Sequence, residues 1–223
     1  ISYDTSGADG VLVSSTGGTV TTSGGKTIHT FTADGVFAAV ANIDSGDGGG
    51  GYNYKRIIKI DSGKIDETLL DFTLTVNLTT SNFDLSRIRE DGYDITFTNT
   101  NGIPLNFERE YFLANSSAVY NIKVPFVSSL DDTDVVMHYG SATEIGDKSY
   151  AANAWDAGYV MVQHMGASLL DSTSYSNDGV NYGTTLESGL NGNSRRFDGS
   201  SSIQVPASNS LGLTSSLTMM AVT

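Results

Sequence analysis

Two glutamates, Glu108 and Glu110, have the residue type and spacing that come closest to a catalytic pair in this chain. Side chains two positions apart on a strand point to the same face, with their alpha carbons about 7 Å apart. That separation would suit the paired carboxylates of a glycosidase. A more common explanation is a solvated strand face, or pairing with Arg87, Arg89 or Arg109, because catalytic carboxylates usually come from separate strands that flank a cleft. We therefore predict no catalytic residue and a chain that is not an enzyme.

The spacing of the three histidines does not indicate a metal or catalytic site. His29, His138 and His164 fall in three different segments, and no metal-binding spacing joins them. His138 has the opposite parity to the apolar residues beside it, which predicts that it lies on the other face of its strand. His164 shares the parity of Val160 and Val162. This predicts a histidine in the core whose hydrogen-bonding groups are satisfied, in preference to a catalytic base. No nucleophile elbow, P-loop or dinucleotide fingerprint is present.

The residues between 52 and 140 read as a series of short strands. Phe72, Leu74, Val76 and Leu78 alternate with polar residues, and the runs around Tyr120 and Met137 repeat that period of two. Turn signals such as Asp-Gly and Asn-Gly separate the runs. A sheet with one apolar face needs a second sheet to cover it, so the pattern predicts an antiparallel β-sandwich.

The same stretch resembles a known family. The segments YKRIIKID, LSRIREDGYDITFTNTNGIPLNFERE and VYNIKVPFVSSLDDTDVVMHYG are similar, in this order, to the family catalogued as domain of unknown function 2341, an extracellular β-sandwich module. The resemblance covers about residues 51–141. It implies a fold and no particular chemistry.

The chain after residue 158 is similar to the opening of a laminin-G or concanavalin A-like lectin jelly roll, which often follows that module in its relatives. Loops there carry Asp171, Asn177, Asp178 and Asp198, and calcium prefers oxygen ligands from Asp- and Asn-rich loops. The resemblance implies a calcium ion beside a sugar site, with Asp171 and Asp198 as its carboxylate ligands. The alternative is that these side chains only form turns. Since the fold would be incomplete, either the protein continues past Thr223 or a partner chain completes the sheet, and we expect the former.

The first 44 residues alternate short β-like runs with the turn pairs Gly24-Gly25 and Asp34-Gly35, which predicts two or three short strands. Their signature GGTVTTSGGKTIHTF resembles the small glycine-rich β-modules of bacteriophage tail and fibre proteins. Two or three short strands bury too little apolar surface to be stable alone. We therefore expect them to pack on a neighbouring module or on another subunit.

Composition agrees with an all-β fold and limits the partners. The 223 residues include 25 glycines, 3 prolines and no cysteine, which excludes a disulfide framework and a thiolate metal site. A net charge of −13 repels nucleic acid, and no apolar run reaches the length of a membrane span. We expect neither nucleic-acid binding nor membrane insertion.

Two stretches of altered composition divide the chain. SGDGGGG at 45–51 reads as a flexible linker, and residues 142–158 lose the alternation around Trp155, which we interpret as a packing anchor. The predicted modules are a glycine-rich β-module at 1–44, a β-sandwich at 52–141 and an incomplete lectin-like jelly roll at 159–223. The fold class is thus all-β, with antiparallel, jelly-roll-like sandwich modules joined by Gly-rich linkers.

Two functions fit these features. The first is a non-enzymatic structural protein of a virion, a phage tail or fibre component that contacts other copies or other virion proteins and attaches to host surface glycans. The second is a secreted or cell-surface carbohydrate-binding or adhesion protein of a bacterium or archaeon. The glycine-rich module favours the first. Neither function requires a cofactor. If the protein binds one, calcium is the candidate.

Overall fold

The computed structural model describes residues 51–141, 146–189, 192–214 and 217–221, together with the backbone of five strands before residue 46. The strands in chain order are β1 (Ser2–Asp4), β2 (Val13–Thr16), β3 (Thr19–Ser23), β4 (Lys26–Thr30), β5 (Ala38–Ser45), β6 (Tyr54–Ile60), β7 (Leu69–Thr79), β8 (Ile95–Asn99), β9 (Phe107–Leu113), β10 (Ser117–Val127), β11 (Thr133–Tyr139), β12 (Val180–Tyr182), β13 (Thr185–Ser188), β14 (Asn193–Arg196) and β15 (Ser202–Gln204).

Helical structure is scarce in the described part of the chain. It consists of one short helix, α1 (Ala151–Ala154), and 3₁₀ turns at Ser62–Lys64, Leu85–Arg87 and Asn209–Leu211. None of these segments has the length and apolar character needed to cross a membrane. The predicted all-β, antiparallel fold class is confirmed.

Two antiparallel sheets form the main body of the first part of the chain. One has the strand order β2-β5-β6-β11-β8 and the other has the order β7-β10-β9. A third sheet, β1-β4-β3, includes the antiparallel pair β3–β4, with Ser23 opposite Lys26, whereas the predicted Gly24-Gly25 turn lies outside the described residues. Two separate ribbons, β12–β15 and β13–β14, follow later in the chain.

The core lies between the five-stranded and the three-stranded sheets. Phe97 on β8 packs against Phe107 on β9 and Tyr120 on β10, with ring centroids 5.0 and 5.5 Å apart. Ile58 and Val135 contribute from the five-stranded sheet to the same cluster of buried side chains. These contacts join the two sheets into the predicted β-sandwich.

The predicted inner faces of the three-stranded sheet are confirmed in its middle. Val76 and Leu78 on β7 and Tyr120 and Ile122 on β10 are buried. Toward the start of β7 the alternation breaks at Asp71, whose φ of 51° is in the left-handed region. As a consequence, Leu69 packs against the core while its neighbour Leu70 is exposed.

The glycine-rich segment contributes strands to the sandwich sheet. β5 pairs antiparallel with β6, with Ala39 opposite Lys59 and Ala41 opposite Ile57, and β2 pairs with the outer side of β5. Strands on both sides of the predicted linker at 45–51 therefore share one sheet, and Ser45 itself belongs to β5. The rest of that predicted linker, 46–50, lies outside the described residues.

The chain divides into two compact units, Ile1–Tyr150 and Ala151–Thr223, and the division falls inside the predicted second linker. In the second unit the buried described residues are Ala154, Thr173, Asn177 and Thr184, of which three are polar. The described part of this unit is therefore organised by hydrogen bonds more than by apolar packing. The predicted lectin-like jelly roll stays a prediction.

Asp94 is a fully buried carboxylate immediately before β8 in the first unit. Its Oδ1 atom accepts a hydrogen bond from the backbone N–H of Arg89, at 3.0 Å, whereas Oδ2 has no hydrogen-bond partner among the described residues. Burial raises the pKa of Asp94, and this effect outweighs the backbone N–H groups of Arg89 and Gly140, which lower it.

We predict that Asp94→Asn gains stability relative to the unaltered protein as the pH rises from about 3 to about 7. A raised folded-state pKa means that protonation of Asp94 favours the folded state, and this contribution is lost as the pH rises through that pKa. Asparagine keeps an oxygen acceptor for Arg89 and carries no charge. Urea unfolding of both proteins across this pH range measures the difference, and a difference that does not change with pH contradicts the prediction.

Candidate functional site

Glu108 and Glu110 meet at a single amide group on the outer face of the three-stranded sheet. The Nδ2 atom of Asn121 on β10 donates to Glu108 Oε2 at 3.3 Å and to Glu110 Oε2 at 3.0 Å. The Thr75 hydroxyl on β7 donates to Asn121 Oδ1 at 2.8 Å. The two glutamates therefore share one face, as their spacing predicts, and the amide lies between them.

A β-bulge in β9 produces this arrangement. Tyr120 pairs with Arg109 and Val119 pairs with Tyr111, so Glu110 is the extra residue on β9. A bulge bends its strand and changes the direction of its side chains. Here it allows Glu110 to reach the same amide nitrogen as Glu108.

This cluster has the properties of a structural network. Glu108 and Asn121 are buried, with exposed fractions of 5% and 2%. Acid–base catalysis by two carboxylates requires an open cleft in which the substrate bond lies between them. In this protein a neutral amide occupies that place, and an amide neither gives nor takes a proton at ordinary pH.

The arginines that the sequence offered as partners of the two glutamates have aspartate partners in the structure. Arg87 pairs with Asp84 at 3.1 Å, Arg89 with Asp91 at 2.6 Å and Arg109 with Asp147 at 2.6 Å. The first two pairs fix short local turns. The third ties the segment after residue 146 to β9, where Ser149 Oγ also accepts a hydrogen bond from the Arg109 backbone N–H.

The described histidines take part in local packing. His138 lies on the outer face of β11, as predicted, with Nε2 3.0 Å from the Thr98 hydroxyl. The prediction of a core position for His164 is wrong: the residue is half-buried, because residues 160–164 form no strand despite their alternation. Trp155 packs edge-on against Tyr159, at 5.0 Å between ring centroids, which agrees with a packing role. The side chain of His29 lies outside the described residues.

Asp171 organises the loop in which a calcium ligand was expected. Its Oδ1 accepts from the backbone N–H groups of Val162 and Thr173, at 2.9 and 3.0 Å. Its Oδ2 accepts from the Thr173 hydroxyl at 2.7 Å and from the Asn177 backbone N–H at 2.9 Å. A carboxylate has about four lone-pair positions. A calcium ion at Asp171 would therefore have to displace one of these donors.

The other predicted loop residues also make hydrogen bonds within the second unit. Asp178 Oδ1 accepts from the Asp171 backbone N–H at 2.8 Å, and Asn177 Nδ2 donates to the Val160 carbonyl at 2.6 Å. Asp198 accepts from the backbone and hydroxyl of Ser200 and from the Ser201 backbone, and these bonds hold its pKa well below the usual range. The described residues contain no group of three or more potential metal-ligating side chains. The calcium site stays a prediction.

A cleft of about 430 Å³ lies at one end of the sandwich, where β8 and β10 end and β11 begins. Its floor is formed by the buried side chains of Leu105, Val124 and Val135, and one wall by Pro125 and Phe126. The polar lining consists of Asn99, Thr100, Ser128, Asp131, Asp132, Thr133 and Asp134. Sequence reasoning missed this site because its residues come from separate strands. The available signal was an exposed aromatic after a strand proline, close to an Asp-rich turn.

The loop beside the cleft is held in place by its own side chains. Ser128 Oγ accepts from the backbone N–H groups of Leu130 and Asp131, each at 3.1 Å. Thr133 Oγ1 accepts from the Ser128 backbone N–H at 3.0 Å, and Asp132 Oδ1 accepts from the Ser62 backbone N–H at 3.0 Å. These hydrogen bonds therefore hold the backbone of the loop beside the cleft in place.

We predict that Asn121→Asp destabilises the protein by about 3 kcal/mol at neutral pH. The change replaces the donor between Glu108 and Glu110 with a third carboxylate. Protonation relieves the repulsion, so the loss should be smaller at about pH 4. Asn53→Asp, which adds the same charge at an exposed position, is the control. Equal unfolding free energies for the two variants contradict the role assigned to Asn121.

We predict that Asp171→Asn destabilises the protein by about 2 kcal/mol at pH 7. Burial on its own would raise the pKa of Asp171, but its hydrogen bonds outweigh burial and lower the pKa. The stabilisation is therefore present above the unfolded pKa and is lost as the pH falls through the folded one. Thermal melting of both proteins between about pH 7 and pH 2 measures this, and a gap that widens on acidification contradicts it.

The same two proteins test the calcium prediction. Because Asp171 already accepts four hydrogen bonds, a calcium ion there must displace a donor, and equal melting temperatures of the unaltered protein with calcium and with chelator would contradict the predicted site. A calcium-dependent rise that Asp171→Asn lacks would show that the ion displaces a protein donor.

Comparisons with protein-family models, with curated proteins and with solved structures find no match to this chain. The relation to the domain of unknown function 2341 family and to lectin jelly rolls therefore stays a prediction. The geometry and charge of the described residues are the basis for inferring a function.

Proposed function

We propose that the chain is a non-enzymatic structural protein of a virion, a tail or fibre component that presents its β-sandwich to host surface glycans. It contacts other copies of itself or other virion proteins. The observation that carries the proposal is the continuous five-stranded sheet, in which β2 and β5 of the glycine-rich segment extend the sandwich sheet.

A shared sheet suits a protein that must hold a surface in a fixed position. A glycine-rich linker by itself behaves as flexible coil and lets two modules move independently. Backbone hydrogen bonds between β5 and β6 instead fix the two segments on either side of that linker in one ladder. This rigidity is what a tail or fibre component requires.

The absence of enzymatic activity is supported by the environment of the one carboxylate pair that sequence spacing offered. Glu108 is buried and Asn121 separates it from Glu110, so the pair offers no open space for a substrate bond. The net charge of −13 favours a solvated outer surface and opposes nucleic-acid binding.

Mass spectrometry of purified particles tests the proposal. The chain should co-purify in constant ratio with capsid and tail proteins, and antibodies against residues 52–141 should label the particle surface. Recovery in a particle-free fraction, together with envelope proteins or hydrolases of a bacterium or archaeon, contradicts it. That result would identify a secreted or cell-surface carbohydrate-binding or adhesion protein.

A further inference from the structure

We propose that the cleft between β8, β10 and β11 binds one uncharged hexopyranose residue of a glycan, with the sugar ring stacked on Phe126. This inference rests on the glycan-binding part of the proposed function and gives it a site and a ligand class. It places the ligand in the sandwich of the first unit, whereas the sequence resemblance implied a sugar site in the second.

Phe126 provides the stacking surface. Its side chain is 55% exposed although it lies on a strand, and it forms a wall of the cleft beside Pro125. Proline has no N–H to donate to the ladder, and Pro125 and Phe126 are both exposed, whereas the next residue, Val127, is buried. A hexopyranose has one face of C–H groups, which packs on an aromatic ring while the hydroxyl groups at its edge remain free for hydrogen bonds.

The rim supplies both kinds of hydrogen-bonding group that sugar hydroxyls need. The Asp131 carboxylate has no partner among the described residues, so its oxygens are available as acceptors. Asn99 Oδ1 already accepts from the backbone N–H groups of Asn101 and Ile103, each at 3.0 Å. This fixes the amide and leaves Asn99 Nδ2 as a donor. The Asn99 amide is therefore preorganised, which reduces the entropic cost of binding.

The charges around the cleft disfavour a negatively charged ligand. Lys59 Nζ lies 3.4 Å from Asp132 Oδ2 and 3.1 Å from Asp134 Oδ1, so this single ammonium is shared by two rim carboxylates and offsets one of their two negative charges. Hydrogen bonding to Asp134 is the largest cause of the raised pKa of Lys59, which keeps it charged. Asp131 remains uncompensated, so sugars that carry a carboxylate or sulfate are repelled.

The size of the cleft fits a single sugar residue with its chain extending into solvent. Its volume of about 430 Å³ is within the range of small-molecule sites, and its floor is apolar and closed by Leu105, Val124 and Val135. A metal ion is a poor alternative, because the described residues contain no group of three potential ligating side chains.

The test uses the full chain and a panel of methyl glycosides and oligosaccharides of glucose, galactose, mannose and N-acetylglucosamine. Sialic acid and glucuronic acid glycosides are the charged counterparts. Binding is measured by saturation-transfer NMR and calorimetry. We expect at least one neutral sugar to bind and the acidic sugars to bind more weakly.

Two variants locate the site. Phe126→Ala should weaken binding about tenfold, and Asp131→Asn about fivefold. Phe197→Ala, which removes a ring 51% exposed in the second unit, and Asp66→Asn, which removes an exposed charge elsewhere, are the matched controls and should leave the affinity unchanged. Unchanged melting temperatures for all four variants show that each remains folded.

Three results overturn the inference: no binding of any neutral sugar, equal affinity of Phe126→Ala and the unaltered protein, or loss of binding in Phe197→Ala. Capture of a peptide in the cleft in place of every sugar would also overturn it and would identify a protein partner. The result expected from mass spectrometry of purified particles does not depend on sugar binding. Failure of this inference and failure of the structural role are therefore distinguishable.

Discussion

The packing of Phe97 against Phe107 and Tyr120 is the interaction on which the rest of the first unit depends. It joins β8 of one sheet to β9 and β10 of the other, and the three aromatic side chains are buried. Each aromatic contact of this kind contributes about 0.5–1.5 kcal/mol beyond the burial of apolar area. Because the contact fixes the two sheets face to face, it also sets the cleft at the sandwich end and the polar network on the outer face of β10.

These two polar regions differ in a way that separates a structural network from the proposed binding cleft. On the outer face, Asn121 satisfies Glu108 and Glu110 together, and burial makes that satisfaction necessary. At the cleft, Phe126 is exposed, and backbone hydrogen bonds hold the loop that carries Asp131. A polar network whose members satisfy one another stabilises a fold, whereas a fixed surface with available groups binds a ligand.

Part of this structure follows directly from the sequence. The period of two predicts which side of β7 and β10 is buried around Val76 and Tyr120, and Gly24-Gly25 predicts the antiparallel pairing of β3 and β4. These features depend on residues close together in the chain. The bulge at Glu110 and its contact with Asn121 depend on cross-strand register, which spacing along one strand does not specify. The parity of Val160, Val162 and His164 predicted a core position for His164, whereas residues 160–164 form no strand and His164 is half-buried.

The most direct measurement is amide chemical-shift mapping of the full chain by NMR as a neutral oligosaccharide is added. The account predicts shifts that concentrate at residues 99–100 and 124–135, which line one end of the sandwich. Amides beside Asn121 on the outer face and amides of residues 151–223 should not move. Shifts that concentrate in residues 151–223, or no shifts at saturating sugar, would contradict the claim that the sandwich of the first unit carries the binding site.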